Sequence, residues 1–158
     1  MLSPQVLSQP AISAWVRLLR AHASTTRTFN AELLTEHGLT INDYEALLHL
    51  SRADDGRMRR VDLAENLLLT ASGVTRLLDG LESHGLVERA ACASDRRVVY
   101  AVITTEGMER LRAASDSHVA SIRALFEERL SKDELRQLGE LLGRLPGVGS
   151  PADEDCSP

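Results

Sequence analysis

The chain has 158 residues, 43% of them hydrophobic and 26% charged, with a formal net charge of −5. That length suits one domain, or a domain with oligomerising arms, and the acidic balance means that any polyanion-binding surface has to be local. No apolar run approaches a membrane span, the N-terminus lacks a basic stretch followed by an apolar one, and two distant cysteines make no disulfide framework, so the chain reads as cytoplasmic with no membrane partner.

Helix is predicted from Pro10, a favoured first-turn residue, to about Glu36, ahead of Gly38; its apolar positions include Ile12, Trp15, Val16, Leu19, Phe29 and Leu33. A second helix covers Ile41–Arg52, with Tyr44, Leu47, Leu48 and Leu50 apolar. Asp54-Asp55-Gly56 is a turn, and Arg57–Arg60 suits a short strand. Val61–Leu67 carries one helical stripe at Val61, Ala64 and Leu67, and Leu68–Thr70 is a tight turn. The next stripe, Val74, Leu77, Leu78 and Leu81, has helical spacing, and the opposite face shows Ser72, Gly73, Thr75, Arg76 and Asp79. That helix stops at Gly85, where a left-handed residue is expected, with His84 near the negative end of the dipole.

Two β-rich runs follow, Leu86–Ala90 and Val98–Ile103, around a polar loop that ends Ser94-Asp95-Arg96-Arg97. Thr104 or Thr105 caps a long helix to about Arg129, whose face is Met108, Leu111, Ser115, His118, Ile122, Leu125 and Phe126. Ser131-Lys132-Asp133-Glu134 is a capping box for a last helix carrying Leu135, Leu138, Leu141, Leu142 and Leu145, ended by Pro146-Gly147. The tail from 147 to 158 has a linker's composition and is expected to be disordered. The fold class is therefore mainly α with a small antiparallel β-hairpin wing: a winged helix-turn-helix flanked by helical arms. Two short helices joined by three residues suit a major groove, and a basic hairpin tip suits phosphates or a narrow minor groove.

The order of these segments resembles the MarR family of dimeric bacterial transcription regulators. The resemblance runs from about Ala11 to Leu145 and rests on Ser-x-Val-Thr-Arg-Leu at Ser72–Leu77, Gly-Leu-Val-x-Arg at Gly85–Arg89, Asp95 and Arg97 in the hairpin, and Ile-Thr-Thr-Glu-Gly opening the long helix. It implies a homodimer bound to double-stranded DNA at a pseudo-palindromic operator, commonly a repressor released by a small ligand or by oxidation. No Gly-rich phosphate loop and no nucleophile–base spacing point to an enzyme, and no cofactor is expected. The chain departs from the pattern in lacking a Ser or Thr cap ahead of Asp62, and in Gly80, which costs about 1 kcal/mol relative to Ala in mid-helix and permits close packing or a bend.

Between Arg57 and Arg97 seven Arg face six acidic residues, a net of +1, so the acid excess lies outside the reading head. Non-specific affinity should be modest and strongly salt-dependent. Candidate DNA-binding residues are Thr70 (helix cap), Ser72, Gly73, Thr75, Arg76, Asp95, Arg96 and Arg97, with Arg97 the minor-groove residue by resemblance. Each has a plainer alternative: Arg76 in an ion pair with Asp79 or Glu82, Ser72 and Thr75 as helix-face solvation, the hairpin arginines as a solvated tip. Arg57, Arg59 and Arg60 are equally phosphate contacts or a solvated edge.

Three segments are expected around that head. Residues 1–38 form a dimerisation helix, 39–104 the DNA-binding domain and 105–146 C-terminal dimerisation helices, because the apolar faces of the arms exceed what one small winged helix can bury. By resemblance an effector pocket falls where the first, second and long helices meet, with Trp15, Arg20, His22, Tyr44, His49 and His118 as candidates. His118 interrupts an apolar face, although a lone buried histidine is more often a hydrogen-bonded core residue. Three histidines on three helices hint at a metal, but no close-spaced ligand pair supports one. Cys92, beside Arg89, Arg96 and Arg97, is a possible redox switch. A protein-interaction winged helix without specific DNA binding is the rival reading.

Overall fold

The computed structural model describes residues 9–91 and 98–146. The chain divides into two compact units, Met1–His118 and Val119–Pro158.

The first unit opens with helix α1, Pro10–His37. Proline at its first turn loses nothing, because that amide has no intrahelical acceptor. Gly38 ends the helix at φ 67° and returns its N–H to Leu34 O at 3.1 Å. Helix α2, Ile41–Arg52, is set by a reciprocal capping box: Thr40 Oγ1 accepts from Asp43 N at 3.1 Å, and Asp43 Oδ2 accepts from Thr40 N at 2.8 Å. A single 3-10 turn, Asp54–Gly56, leads into strand β1, Arg57–Arg59.

Helix α3, Arg60–Asn66, begins one residue before the predicted start and has no side-chain cap. Arg59, at the cap position, instead forks onto Asp62, with Nε and Nη2 donating to Oδ2 and Oδ1 at 2.6 and 2.8 Å. That bidentate pair holds the Arg59 guanidinium more firmly protonated than usual. Helix α4, Ala71–Ser83, is capped by Thr70 Oγ1, which accepts from Gly73 N at 3.1 Å. In the intervening turn Leu68 stands at φ 52°, a left-handed conformation that costs a non-glycine residue about 1–2 kcal/mol. Gly85, at φ 71°, takes the left-handed position expected of it.

Strands β2, Val87–Ala91, and β3, Val99–Ile103, pair antiparallel, with Arg89 opposite Ala101. Strand β1 lies on the other side of β3, Met58 opposite Ala101, giving the order β1-β3-β2. Strand β2 starts at Val87 and not at Leu86. The Leu86 amide is spent on Leu81 O, closing the end of α4, and its carbonyl accepts from Thr104 N at 3.1 Å.

Helix α5, Thr105–Glu127, is capped by Thr104 Oγ1, which accepts from Gly107 N at 3.0 Å. Gly107 is where α5 meets the entry to β2: a Cβ built there would lie 2.1 Å from Leu86 O. Gly80 is different. A Cβ there meets nothing within 4 Å, so close packing is not what that glycine provides.

The core of this unit is aliphatic. Leu33, Leu39, Leu47, Leu50, Leu63, Val74, Leu78 and Val87 are its largest fully buried side chains, each worth about 1.5–3 kcal/mol relative to exposure. They come from α1, α2, α3, α4 and β2 and from the α1–α2 link, and therefore pin the helix-turn-helix to its supports.

The second unit holds the end of α5 and helix α6, Lys132–Leu142. Its capping box is as predicted: Ser131 Oγ accepts from Glu134 N, and Glu134 Oε2 accepts from Ser131 N at 2.8 Å, which holds that carboxyl below the usual range. The helix stops at Leu142, short of the predicted end. Arg144 and Leu145 bond to Leu141 and Leu142, three residues back, so Leu145 lies in tightened turns beyond the helix.

Candidate nucleic-acid interface

The fold assembles the candidate recognition surface from the outer face of α4. Val74, Leu78 and Leu81 are buried on one side, which forces Ser72, Thr75, Arg76 and Asp79 to the other. Thr70 caps the helix through Gly73 N and lies 3.2 Å from Ser72 Oγ. The positive end of the α4 dipole therefore sits under two exposed hydroxyls. The Thr75 hydroxyl donates to Ala71 O at 2.8 Å, leaving its lone pairs to present.

Arg76 is exposed and has no hydrogen bond or ion pair among the described residues. The expected alternative pairing does not occur, because Asp79 and Glu82 are both taken by Arg89. Arg89 Nη2 donates to Asp79 Oδ1, and Nε lies 3.4 Å from Glu82 Oε2. The guanidinium on β2 thus neutralises the two acidic groups of the helix and ties strand to helix. The sequence placed Arg89 in a motif and beside Cys92, with no tie to α4. The acids sit three residues apart on one helix face, but which cation meets them is a long-range matter.

The other basic residues divide. Arg57 lies 3.8 Å from Asp55 and stacks 5.3 Å above the Tyr100 ring. Arg59 is held by Asp62, as above. Arg60 is exposed without a partner among the described residues. Asp95, Arg96 and Arg97 of the hairpin tip, together with Cys92, lie outside the described residues.

The six effector candidates are not brought together. Tyr44 and His118 meet edge to face, with ring centroids 4.8 Å apart, and Phe29 meets His118 edge to face at 5.2 Å. Tyr44 Oη lies 3.2 Å from Ser115 Oγ. Trp15 stands fourteen residues before Phe29 on the same helix, about 21 Å along its axis at 1.5 Å per residue. Arg20 and His22 are about 13 and 10 Å short of it by the same measure. Those three are exposed, and His49 is half-buried more than a turn beyond Tyr44 on α2.

Among the described residues His118, 8% exposed, has no hydrogen-bond partner for its Nδ1, and the buried Oε2 of Glu32 has none either. Burial pushes the His118 imidazole below its ordinary pKa, a shift that the Glu32 carboxylate partly opposes. Phe29, Glu32 and Ser115 are the members of this cluster that the sequence did not mark as effector candidates. A cleft of about 380 Å³ opens elsewhere, beside Asp55 and Gly56, the end of β3 and the first turns of α5, and none of the six candidates lines it. Among the described residues no group of three or more His, Cys, Asp or Glu is close enough to hold a metal, and no helix is long and apolar enough to cross a membrane.

Known proteins share this architecture. Residues 37–98 match the family model described as MarR family. The chain is 32% identical over 111 residues to the HTH-type transcriptional repressor YetL of Bacillus subtilis, a match covering 68% of this chain and 66% of that protein. The crystal structure of AbsC, a MarR family transcriptional regulator from Streptomyces coelicolor, superposes with a TM-score of 0.76 at 34% identity, over 90% of this chain and 92% of that one. Sco3205, a MarR family transcriptional regulator from the same organism solved in complex with DNA, gives 0.76 at 29% identity, over 82% and 81%.

Proposed function

Because this chain belongs to the MarR family of transcriptional regulators, we propose that it binds DNA sequence-specifically as a homodimer, represses from a pseudo-palindromic operator and is released by a small ligand. The observation that carries the DNA reading is Arg76. A buried apolar stripe aims it outward, both nearby acids are engaged by Arg89, and it sits six residues past the Thr70 cap of the helix. An unengaged guanidinium there is free for a guanine edge or a phosphate.

The arms support the dimer. Trp15, Leu19 and Leu34 on α1 are 56%, 47% and 45% exposed in the single chain, and Leu141 on α6 is 49% exposed. Apolar exposure on that scale, outside the reading head, fits a surface covered by a second copy. The unpartnered Nδ1 of His118 and Oε2 of Glu32 support a polar effector near Tyr44 and His118, since unsatisfied buried polar atoms are costly. Of the candidates named from sequence, only Tyr44 and His118 belong to that proposal.

Selection of the purified protein against random duplex DNA at about physiological salt tests the reading. An enriched inverted repeat, with half-sites roughly one helical turn apart, is the expected result. The double change Arg76→Ala with Arg97→Ala should then abolish enrichment while dimerisation persists. No enrichment by folded, dimeric protein, with or without effector candidates, would overturn the proposal and favour a protein-interaction module.

A further inference from the structure

We propose that Leu68, the outermost residue of the helix-turn-helix turn, is a DNA-contacting residue that packs against C–H surface of the operator beside the entry of α4. The inference rests on the DNA-binding reading above and extends it to a residue that neither the recognition helix nor the hairpin supplies.

Two observations about Leu68 conflict with a purely structural role. Its side chain is 92% exposed, the most exposed large apolar residue in the described chain, so it contributes almost nothing to the core. Its backbone is also held at φ 52°, where a β-carbon crowds the following carbonyl and glycine is the low-energy choice. Helix-turn-helix turns often contain glycine for this reason. The turn forms regardless of side chain, through Leu68 N to Glu65 O at 3.2 Å and Leu69 N to Ala64 O at 3.0 Å. A leucine here therefore adds strain and exposed apolar area with no return inside the chain. Strain kept at one exposed position points to a use outside it.

The position says what the use is. Leu67 is buried and Leu69 half-buried, so the alternation of the turn drives Leu68 outward. Thr70, two residues on, caps the end of α4 that would enter a major groove, and its Oγ1 and that of Ser72 are exposed beside it. With α4 docked N-terminus first, the turn is carried to the groove rim, where deoxyribose C–H groups and thymine methyls are the available apolar surface. Leu68 lies on neither α1 nor α6, the arms that carry the apolar surface assigned to the second copy.

The test compares wild type with Leu68→Asn and Leu68→Gly, both compatible with a left-handed turn, and with Arg76→Ala, on the operator recovered by selection. Both Leu68 variants should melt at or above the wild-type temperature, dimerise normally and bind operator roughly five- to tenfold more weakly, the worth of a half-buried leucine. The slope of log Kd against log salt should stay unchanged, because no phosphate contact is lost. Operators with uracil in place of thymine separate the two surfaces. Wild type loses the same factor on one uracil operator if a methyl is the partner, and on none if the partner is sugar. Unchanged affinity in both Leu68 variants while Arg76→Ala weakens binding overturns the proposal and leaves the DNA reading standing. Unchanged affinity in all three variants sinks the DNA reading itself. A fall in dimerisation with the Leu68 variants places the residue at the subunit interface and also overturns the proposal.

Discussion

Gly107→Ala should destabilise this protein strongly, against the direction that helix propensity gives. In an ordinary helical position alanine gains about 1 kcal/mol over glycine. At Gly107 the added Cβ would sit 2.1 Å from Leu86 O and 3.0 Å from Ile103 Cγ1, whereas real Cβ contacts essentially never fall under 3.0 Å. The helix or the strand entry has to retreat by about 1 Å. The retreat is resisted by Thr104, which gives its N–H to Leu86 O at 3.1 Å and its hydroxyl to Gly85 O at 2.7 Å. Losing both bonds costs roughly 1 kcal/mol each, and overpacking a tight contact adds about 1–3 kcal/mol. After the propensity gain the net is a loss of roughly 2–4 kcal/mol, or about 5–15 °C in melting temperature for a chain of this size. Thermal unfolding followed by circular dichroism, at one protein concentration, measures it. Gly80→Ala is the internal control: nothing lies within 4 Å of its Cβ, so it should gain up to about 1 kcal/mol. Equal or higher melting temperatures for both variants would refute the close-approach argument.

Three further outcomes are expected. Arg89→Met should cost stability no more than about 1 kcal/mol, as befits a pair whose side chains are 34% and 56% exposed, yet weaken operator binding several-fold by uncovering Asp79 and Glu82 on the proposed recognition helix; titration of labelled operator measures this, and unchanged binding counts against the neutralising role. Thr70→Ala should lose about 1 kcal/mol by removing the cap on Gly73 N, read by urea unfolding, and a loss under about 0.3 kcal/mol would dismiss the cap. Folded His118 binds its proton less readily than the unfolded chain, so the unfolded state holds more protons below an ordinary histidine pKa of about 6.5. Stability should therefore fall as pH drops through that value, and His118→Gln should flatten the slope relative to wild type; parallel curves for the two proteins would contradict it.

Much of the fold was legible because its signals are local. Ser131 with Glu134, Gly38 and Gly85 each mark a boundary through atoms within a few residues, and the structure places those ends where the sequence expects them. The alternation of buried and exposed residues on α4 follows from spacing alone. The end of α6 was misread because Leu145 continues the apolar spacing after the hydrogen bonding has tightened. What escaped is what depends on partners far along the chain. Arg89 finds its acids ten and seven residues earlier across the strand–helix angle, and Gly107 is small because Leu86 O, twenty-one residues away, needs the room. The effector candidates were chosen by residue type on helices expected to converge. A 28-residue helix is long enough to hold Trp15 and Phe29 in different neighbourhoods.

The Arg89 bridge also limits what the reading head can adjust. With β2 fastened to α4 through Asp79 and Glu82, and Leu86 and Gly85 bonded to Thr104 at the start of α5, helix and hairpin base are carried as one rigid tool. Such a tool has a fixed bite along the DNA. In the proposed dimer any tolerance for operators of different lengths must then come from the swing between two heads and not from flexing within either. Inserting a base pair between half-sites should be forgiven far more readily than inserting one inside a half-site.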